Sequence, residues 1–139
     1  MWNKYFLDAN IFLRFLTADD KGKAEACRCL VQRAVDGELG LTTHPLILAE
    51  VVWVLESYYR LPRPEIVNKL ELIMNTPNLS IADAGAFAQA VSLYSSAGID
   101  LADCFAAALS MQDGCPLVSY DRDYDRLEGI SRLEPGNIN

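Results

Sequence analysis

Short apolar runs alternate with longer segments of helical periodicity along this chain of 139 residues, and that alternation limits the folds the chain can adopt. A short apolar run bounded by turn residues predicts a buried strand, whereas apolar residues that recur every three or four positions predict a helix. Strands that alternate with helices favour a parallel sheet with helices on both faces. The sequence therefore predicts an α/β protein in which helices flank a central parallel sheet in three layers.

Turn residues and helix caps give the bounds of these elements. The predicted strands cover residues 5–7, 39–42, 78–81 and 116–119, and the predicted helices cover residues 11–16, 21–35, 45–59, 65–74, 84–97 and 100–113. Asp19-Asp20 and Asp83 are suited to cap the helices that follow them, and Asp36-Gly37 and Gly98 are suited to end the helices that precede them. Since no linker or repeat interrupts the pattern, residues 1–139 are predicted to form one domain.

The composition is that of a globular protein, with 51% apolar and 22% charged residues. No apolar run approaches the ~20 residues of a membrane span, and the charged side chains of Asp8 and Arg14 argue against a signal peptide. The four cysteines contain no CxxC pair, which argues against a zinc site. We therefore expect reduced thiols in a cytoplasmic protein.

The formal net charge of −7 restricts the possible partners. A protein that holds DNA or RNA by the phosphate backbone normally has a basic surface. Two alternatives follow: either nucleic acid is not the partner, or the acidity is concentrated at a site that a cation neutralises.

Three carboxylates stand alone in apolar runs. Asp8 is the only charged residue between Tyr5 and Leu13, Glu50 follows the apolar start of the helix predicted over residues 45–59, and Asp103 lies in the helix predicted over residues 100–113. A helix as apolar as residues 45–59 is expected to be buried nearly all round, so Glu50 is expected to point inward. Removing a carboxylate from water costs several kcal/mol unless a partner compensates.

Each of these carboxylates also has a structural explanation. Asp8 or Asn10 could cap the first helix, Asp100 and Asp103 resemble a capping box, and Glu50 could pair with an arginine. For a single residue the structural explanation is favoured, but three burials would need three separate compensations. One divalent cation would compensate all three, since two carboxylates ~4 Å apart repel by about 4 kcal/mol at an effective dielectric of 20. All-oxygen ligands favour Mg²⁺ or Mn²⁺ over zinc.

Asp121 is a fourth candidate, because it follows the strand predicted over residues 116–119 and open α/β sheets bind ligands at the carboxyl ends of their strands. Capping of the following loop is the alternative role for Asp121. Asp100 is assigned to capping, with a possible supporting role at the site.

Four segments resemble, in order, the motifs of PIN-domain proteins, and in particular those of the small VapC-type toxins of prokaryotic toxin–antitoxin pairs. The segments are LDANIFLRFL, LAEVVWVL, GIDLADCFAAALS and LVSYDRDYDRL, and together they span almost the whole chain. The resemblance implies a parallel sheet between helices, with an acidic pocket at the carboxyl ends of the strands. It implies that Asp8, Glu50 and Asp103 hold Mg²⁺, with Mn²⁺ as a substitute, and that Asp121 is the fourth acid of the site. It further implies that Asn10 orients Asp8 and that the Ser119 hydroxyl holds a water at the metal.

The activity that this resemblance implies is metal-dependent cleavage of RNA by a water molecule that the metal activates. Arg14, Arg122 and Arg126 are the candidates for contacts with RNA phosphates, although each could equally be a solvated surface arginine. The implied partners are an antitoxin protein, whose C-terminal segment covers the acidic pocket, and a second copy of the chain. Trp53, Tyr58 and Tyr59 could supply an apolar interface, and core packing is the alternative for Trp53.

Two other functions are alternatives to this interpretation. A PIN-like module without turnover could bind RNA or protein, but the presence of all four acids argues against it. A phosphatase of another α/β family would have a carboxylate two residues after the first Asp, whereas this chain has Asp8-Ala9-Asn10.

Overall fold

The computed structural model describes residues 3–139, so Met1 and Trp2 of the predicted domain lie outside the described residues. The described chain forms two compact units that divide between Ala84 and Gly85. The organisation of residues 1–139 as one domain stays a prediction.

The first unit is built on a parallel sheet of three strands. The strands are β1 (Lys4–Phe6), β2 (Gly40–Thr43) and β3 (Leu79–Ile81), in the order β1-β2-β3. Its helices are α1 (Ala9–Thr17), α2 (Lys21–Val35), α3 (Pro45–Ser57) and α4 (Arg63–Met74). Helix α1 packs against α2 and α3, and α3 packs against α4. Fully buried leucine and isoleucine side chains form the core: Leu41, Leu48, Leu55, Ile66, Leu70 and Ile73.

Side-chain caps fix the starts of two helices in this unit. Asp20 accepts a hydrogen bond from the Lys23 N–H (3.0 Å) and so begins α2, as predicted. His44 Nδ1 accepts the Leu46 N–H (3.0 Å), and Pro45 occupies the first turn of α3, where its missing N–H costs nothing. Since His44 is the only histidine in the sequence, this cap occupies the one imidazole of the chain.

The second unit contains helices α5 (Ala84–Ala97) and α6 (Leu101–Asp113) and a parallel pair of short strands, β4 (Leu117–Val118) and β5 (Arg132–Leu133). A 3₁₀ helix over Arg122–Arg126 connects the strands, and a second one covers Pro135–Asn137. Gly114 ends α6 with φ of +65°, a left-handed conformation that glycine adopts without strain.

Arg132, on β5, forms hydrogen bonds with the loop that follows β4. Its guanidinium donates to Asp125 Oδ1 (2.9 Å), Glu134 Oε2 (3.0 Å) and the Ser119 carbonyl (3.0 Å). The Arg132 side chain is only 13% exposed, whereas its acidic partners Asp125 and Glu134 are 54% and 39% exposed. The backbone around Ser119 is thereby held in one conformation.

The α/β prediction is confirmed, because every strand pair is parallel and helices separate the strands along the chain. The observed bounds of the predicted elements differ from the predicted ones by at most two residues, and α2 and α5 begin and end as predicted. The predicted burial of the first strand is wrong: Tyr5 is 40% and Phe6 60% exposed, and only Leu7, just after β1, is buried. Strand β1 is at the edge of its sheet, which leaves its side chains less covered than those of β2. All four cysteines are free thiols.

Candidate active site

Asp8 lies in the short connection between β1 and α1, so its carboxylate is at the carboxyl end of strand β1. It occupies the N-cap position of α1, yet its side chain accepts no capping hydrogen bond. The Asp8 carboxylate is exposed and forms no hydrogen bond or ion pair with any described residue. The capping alternative for Asp8 is therefore wrong. Asn10 is also exposed, and no hydrogen bond joins it to Asp8 within residues 3–139.

Glu50 lies on an exposed face of α3, so the prediction that it points inward is wrong. Leu46 and Trp53, four residues before and three after it, are 73% and 67% exposed, which also excludes core packing for Trp53. The reason is that α3 buries only one face, through Leu48, Val51, Val52 and Leu55. No described arginine or lysine forms an ion pair with Glu50, which excludes the alternative of a structural salt bridge in this part of the chain.

Asp103 lies in the first turn of α6 and is half-buried. The Tyr124 hydroxyl donates a hydrogen bond to Asp103 Oδ1 at 3.2 Å. Burial raises the pKa of the Asp103 carboxyl above its usual range, and the negative charges of Asp100, Asp121 and Asp123 raise it further. The hydrogen bond from Tyr124 opposes this rise, because it stabilises the ionised form. Asp103 is therefore a carboxylate surrounded by like charge, an environment that favours cation binding.

The predicted capping box at Asp100 and Asp103 is wrong. Asp100 occupies the N-cap position of α6, but its side chain accepts no capping hydrogen bond, and the Asp103 carboxylate bonds to Tyr124. Asp100 is exposed and acts on Asp103 as a neighbouring negative charge.

The capping role predicted as the alternative for Asp121 is present. Asp121 Oδ1 accepts the N–H of Asp123 (2.9 Å) at the start of the 3₁₀ helix. The Ser119 hydroxyl oxygen in turn accepts the N–H of Asp121 (3.0 Å). These two turns, together with the bond from Arg132 to the Ser119 carbonyl, hold the backbone of residues 119–123. Capping uses one carboxylate oxygen of Asp121, and no described side chain bonds to the other.

Tyr124 is a residue of this region that the sequence did not reveal. It is 7% exposed, and burial, together with the adjacent Asp103 carboxylate, raises its pKa to about 12. Its hydroxyl therefore stays protonated at neutral pH and acts as a hydrogen-bond donor. Nothing in the segment YDRDYD distinguishes a buried tyrosine at position 124 from the exposed one at position 120.

None of the four predicted ligands is neutralised by a cationic side chain. Ion pairs in the described chain engage other acids, such as Glu25, Glu38 and Asp125, and none engages Asp8, Glu50, Asp103 or Asp121. Asp8 and Glu50 belong to the first unit, and Asp103 and Asp121 belong to the second. Within residues 3–139 no group of three or more His, Cys, Asp and Glu side chains is arranged to hold a metal ion. The shared metal site therefore stays a prediction, supported by an uncompensated set of oxygen ligands.

The three arginines predicted to contact RNA differ in their surroundings. Arg14 is half-buried on α1, and Arg126 is exposed and lies 3.6 Å from Asp123. Arg122 is exposed and forms no ion pair with any residue in the described range. Arg122 is thus the cation of this set that remains most available to a phosphate.

The raised pKa of Asp103 predicts a pH dependence of stability. The pKa of Asp103 is higher in the folded protein than in the unfolded protein, so between these two pKa values the folded protein binds more protons. The contribution of Asp103 to the free energy of unfolding is therefore lost as the pH rises from the unfolded-state pKa through the folded-state pKa. In EDTA, we expect Asp103→Asn to melt at a higher temperature than the wild type at pH 7, since asparagine removes the charge and still accepts the Tyr124 hydrogen bond. The advantage should disappear below about pH 4, where Asp103 itself is protonated. An advantage that is independent of pH would contradict the assignment.

Comparison with known proteins gives a family match and resemblances to solved structures. The PIN-domain family model matches residues 5–130, a range that includes all four candidate acids. No curated protein matches the chain. One similar solved structure is the crystal structure of VapBC2 from Rickettsia felis bound to a DNA fragment from their promoter. The sequence identity is 14%, and the match covers 94% of this chain and 98% of that chain, at a TM-score of 0.37. A TM-score of this size does not establish a common fold, so the family assignment rests on the sequence match. No helix within residues 3–139 has the length and apolar character needed to cross a membrane.

Proposed function

The chain belongs to the PIN-domain family, and from this premise we propose that it is an Mg²⁺-dependent endoribonuclease and the toxin of a VapBC-type toxin–antitoxin pair. The observation that carries the proposal is the family match over residues 5–130, since PIN domains are generally nucleases. That range contains Asp8, Glu50, Asp103 and Asp121, the acids that the sequence resemblance assigns to the site. The proposed products are RNA fragments released by hydrolysis of phosphodiester bonds.

The surroundings of these acids support a divalent metal cofactor. Asp8 and Glu50 are exposed carboxylates without hydrogen bonds to described residues, and Asp103 is surrounded by like charge. Carboxylate oxygens are the ligands that Mg²⁺ and Mn²⁺ prefer, and a bound cation would relieve the repulsion that raises the pKa of Asp103. When bound, such a metal lowers the pKa of water and stabilises the charge that develops on the phosphate.

The roles proposed for the chain's own residues follow from their contacts. Asp8, Glu50 and Asp103 bind the metal, and Asp121 contributes the carboxylate oxygen that capping leaves unused. The hydroxyl oxygen of Ser119 accepts the N–H of Asp121 and so helps to position Asp121. The role of this hydroxyl in holding a water at the metal stays part of the proposal. His44 caps α3 through Nδ1 and has no assigned role in the proposed chemistry.

The acidic charge of the chain is consistent with RNA as the substrate if the metal and a few arginines hold the phosphates. Arg122 is proposed as the principal phosphate contact, with Arg14 and Arg126 as weaker ones, because Arg14 is half-buried and Arg126 has an acidic neighbour. Such a substrate would be held more by the metal than by long-range attraction, since the net charge of −7 repels a polyanion.

The proposed partners are an antitoxin and a second copy of the chain, in the cytoplasm. Three large apolar side chains support an interface on or next to α3, because Leu46, Trp53 and Tyr58 are 73%, 67% and 75% exposed. Tyr59 is half-buried and its hydroxyl forms hydrogen bonds with Asp19 and Thr17, so less of its side chain is available to this surface. The reading frame next to this one is where a small antitoxin is expected.

The proposal is tested by incubating the purified protein with a mixed pool of end-labelled RNA. We expect cleavage with millimolar Mg²⁺ or Mn²⁺, no cleavage in EDTA, and recovery when Mg²⁺ is restored in excess of EDTA. The metal dependence follows from the assignment of Asp8, Glu50 and Asp103 as metal ligands, since the metal supplies the activated water. Cleavage that persists in EDTA, or none under any metal, would contradict the proposal.

A further inference from the structure

Tyr124 is joined directly to one of the proposed metal ligands. Its ring is buried within the second unit, and its hydroxyl lies 3.2 Å from Asp103 Oδ1. No other side chain within residues 3–139 bonds to the Asp103 carboxylate, so the second oxygen, Oδ2, has no described partner. The contact depends on the hydroxyl, since phenylalanine would fill the same space without it.

The donor, the Tyr124 hydroxyl, is uncharged, and this makes its hydrogen bond suited to a carboxylate that binds a metal. Asp100, Asp121 and Asp123 all place negative charge near Asp103, so an ionised carboxylate there is repelled from its neighbours. A lysine or arginine donor would hold the carboxylate but would also neutralise it and compete with a metal ion. A neutral tyrosine hydroxyl orients one oxygen and leaves the negative charge for the metal.

The position of Tyr124 is itself fixed by its surroundings. It lies in the 3₁₀ helix Arg122–Arg126, whose first turn is capped by Asp121. Asp125, the next residue, is held by Arg132 through two hydrogen bonds of 2.9 and 3.2 Å. The cap and the bonds to Arg132 therefore hold the Tyr124 hydroxyl next to Asp103 before any ligand binds.

We propose that Tyr124 is a positioning residue for metal binding: its hydroxyl holds Asp103 through Oδ1 and keeps Oδ2 available to Mg²⁺ or Mn²⁺. This inference rests on the proposed function, since it assigns Asp103 to the metal. Partners that orient a metal ligand typically contribute about ten- to a hundredfold to metal affinity. Tyr124 acts through Asp103 and is not expected to contact the RNA.

The test is a titration of the Tyr124→Phe variant with Mn²⁺ in the absence of RNA, in which electron paramagnetic resonance measures the concentration of free Mn²⁺. We expect the Mn²⁺ dissociation constant to rise about tenfold or more relative to the wild type. The melting temperature in EDTA should change little, because phenylalanine retains the buried ring. At saturating Mn²⁺ the kcat for RNA cleavage should recover toward the wild-type value. Tyr94→Phe is the matched control, since it removes the hydroxyl of another buried tyrosine of the second unit and should bind Mn²⁺ as the wild type does.

A double-variant cycle separates positioning from a general structural effect. In the Asp103→Asn background, Tyr124→Phe should weaken Mn²⁺ binding no further, because the contact it removes acts only through Asp103. Wild-type affinity in Tyr124→Phe, or losses that add in the double variant, would overturn the inference. A wild-type protein that binds no Mn²⁺ would instead overturn the proposed function, so the two failures are distinguishable.

Discussion

We expect Asp8→Asn to abolish Mg²⁺-dependent RNA cleavage and to leave the metal-free protein folded. The substitution keeps the size of the side chain and removes one negative charge from the proposed ligands. A loss of about 3 kcal/mol of transition-state stabilisation corresponds to more than a hundredfold in rate, which is the scale expected when a metal-ion catalyst is lost. The fold should persist because the Asp8 carboxylate forms no capping hydrogen bond or ion pair within residues 3–139.

Two assays on the same preparations check this prediction: cleavage of an RNA pool with Mg²⁺ and thermal melting in EDTA. Asp113→Asn is the matched control, because Asp113 is an exposed aspartate outside the proposed set and its substitution should leave cleavage unchanged. A buried ion pair at Asp8 would have made the variant ~3–5 kcal/mol less stable, but no cationic partner is present in the described chain. An active Asp8→Asn variant, or one that unfolds, would remove Asp8 from the catalytic assignment.

The second large effect is stabilisation by the metal itself. A ligand that binds only the folded protein stabilises it by about 2.7 kcal/mol at a hundred times its dissociation constant. For a chain of this length that corresponds to a rise in melting temperature on the order of 10 °C. We therefore expect millimolar Mn²⁺ to raise the calorimetric midpoint relative to EDTA, and the rise to be much smaller in Asp8→Asn. An unchanged midpoint at matched ionic strength would count against a metal site.

The helices could be predicted from the sequence because their boundaries are chemically marked. Asp20 and the Asp36-Gly37 pair define α2 exactly where the structure has it, and Pro45 marks the start of α3. The short strands were harder to predict. Strand β5 has only two residues, Arg132 and Leu133, which is too short for any periodicity to be visible.

Burial and side-chain contacts could not be predicted so well. The apolar sequence of α3 suggested burial all round, but only one of its faces is covered, so Glu50 and Trp53 are exposed. Sequence periodicity describes a single helix and does not specify which neighbours cover it. The bond from Tyr124 to Asp103 joins residues 21 positions apart, and only the tertiary structure brings them together.

The most direct test of the proposed function is whether Asp8 and Asp103 are both required for metal binding. Mn²⁺ binding, measured by electron paramagnetic resonance, is compared among the wild type, Asp8→Asn, Asp103→Asn and the control Asp113→Asn. We expect a saturable wild-type site whose affinity falls about tenfold or more in each of the first two variants and is unchanged in the control. Wild-type affinity in either Asp8→Asn or Asp103→Asn would contradict the proposal that both carboxylates bind the metal.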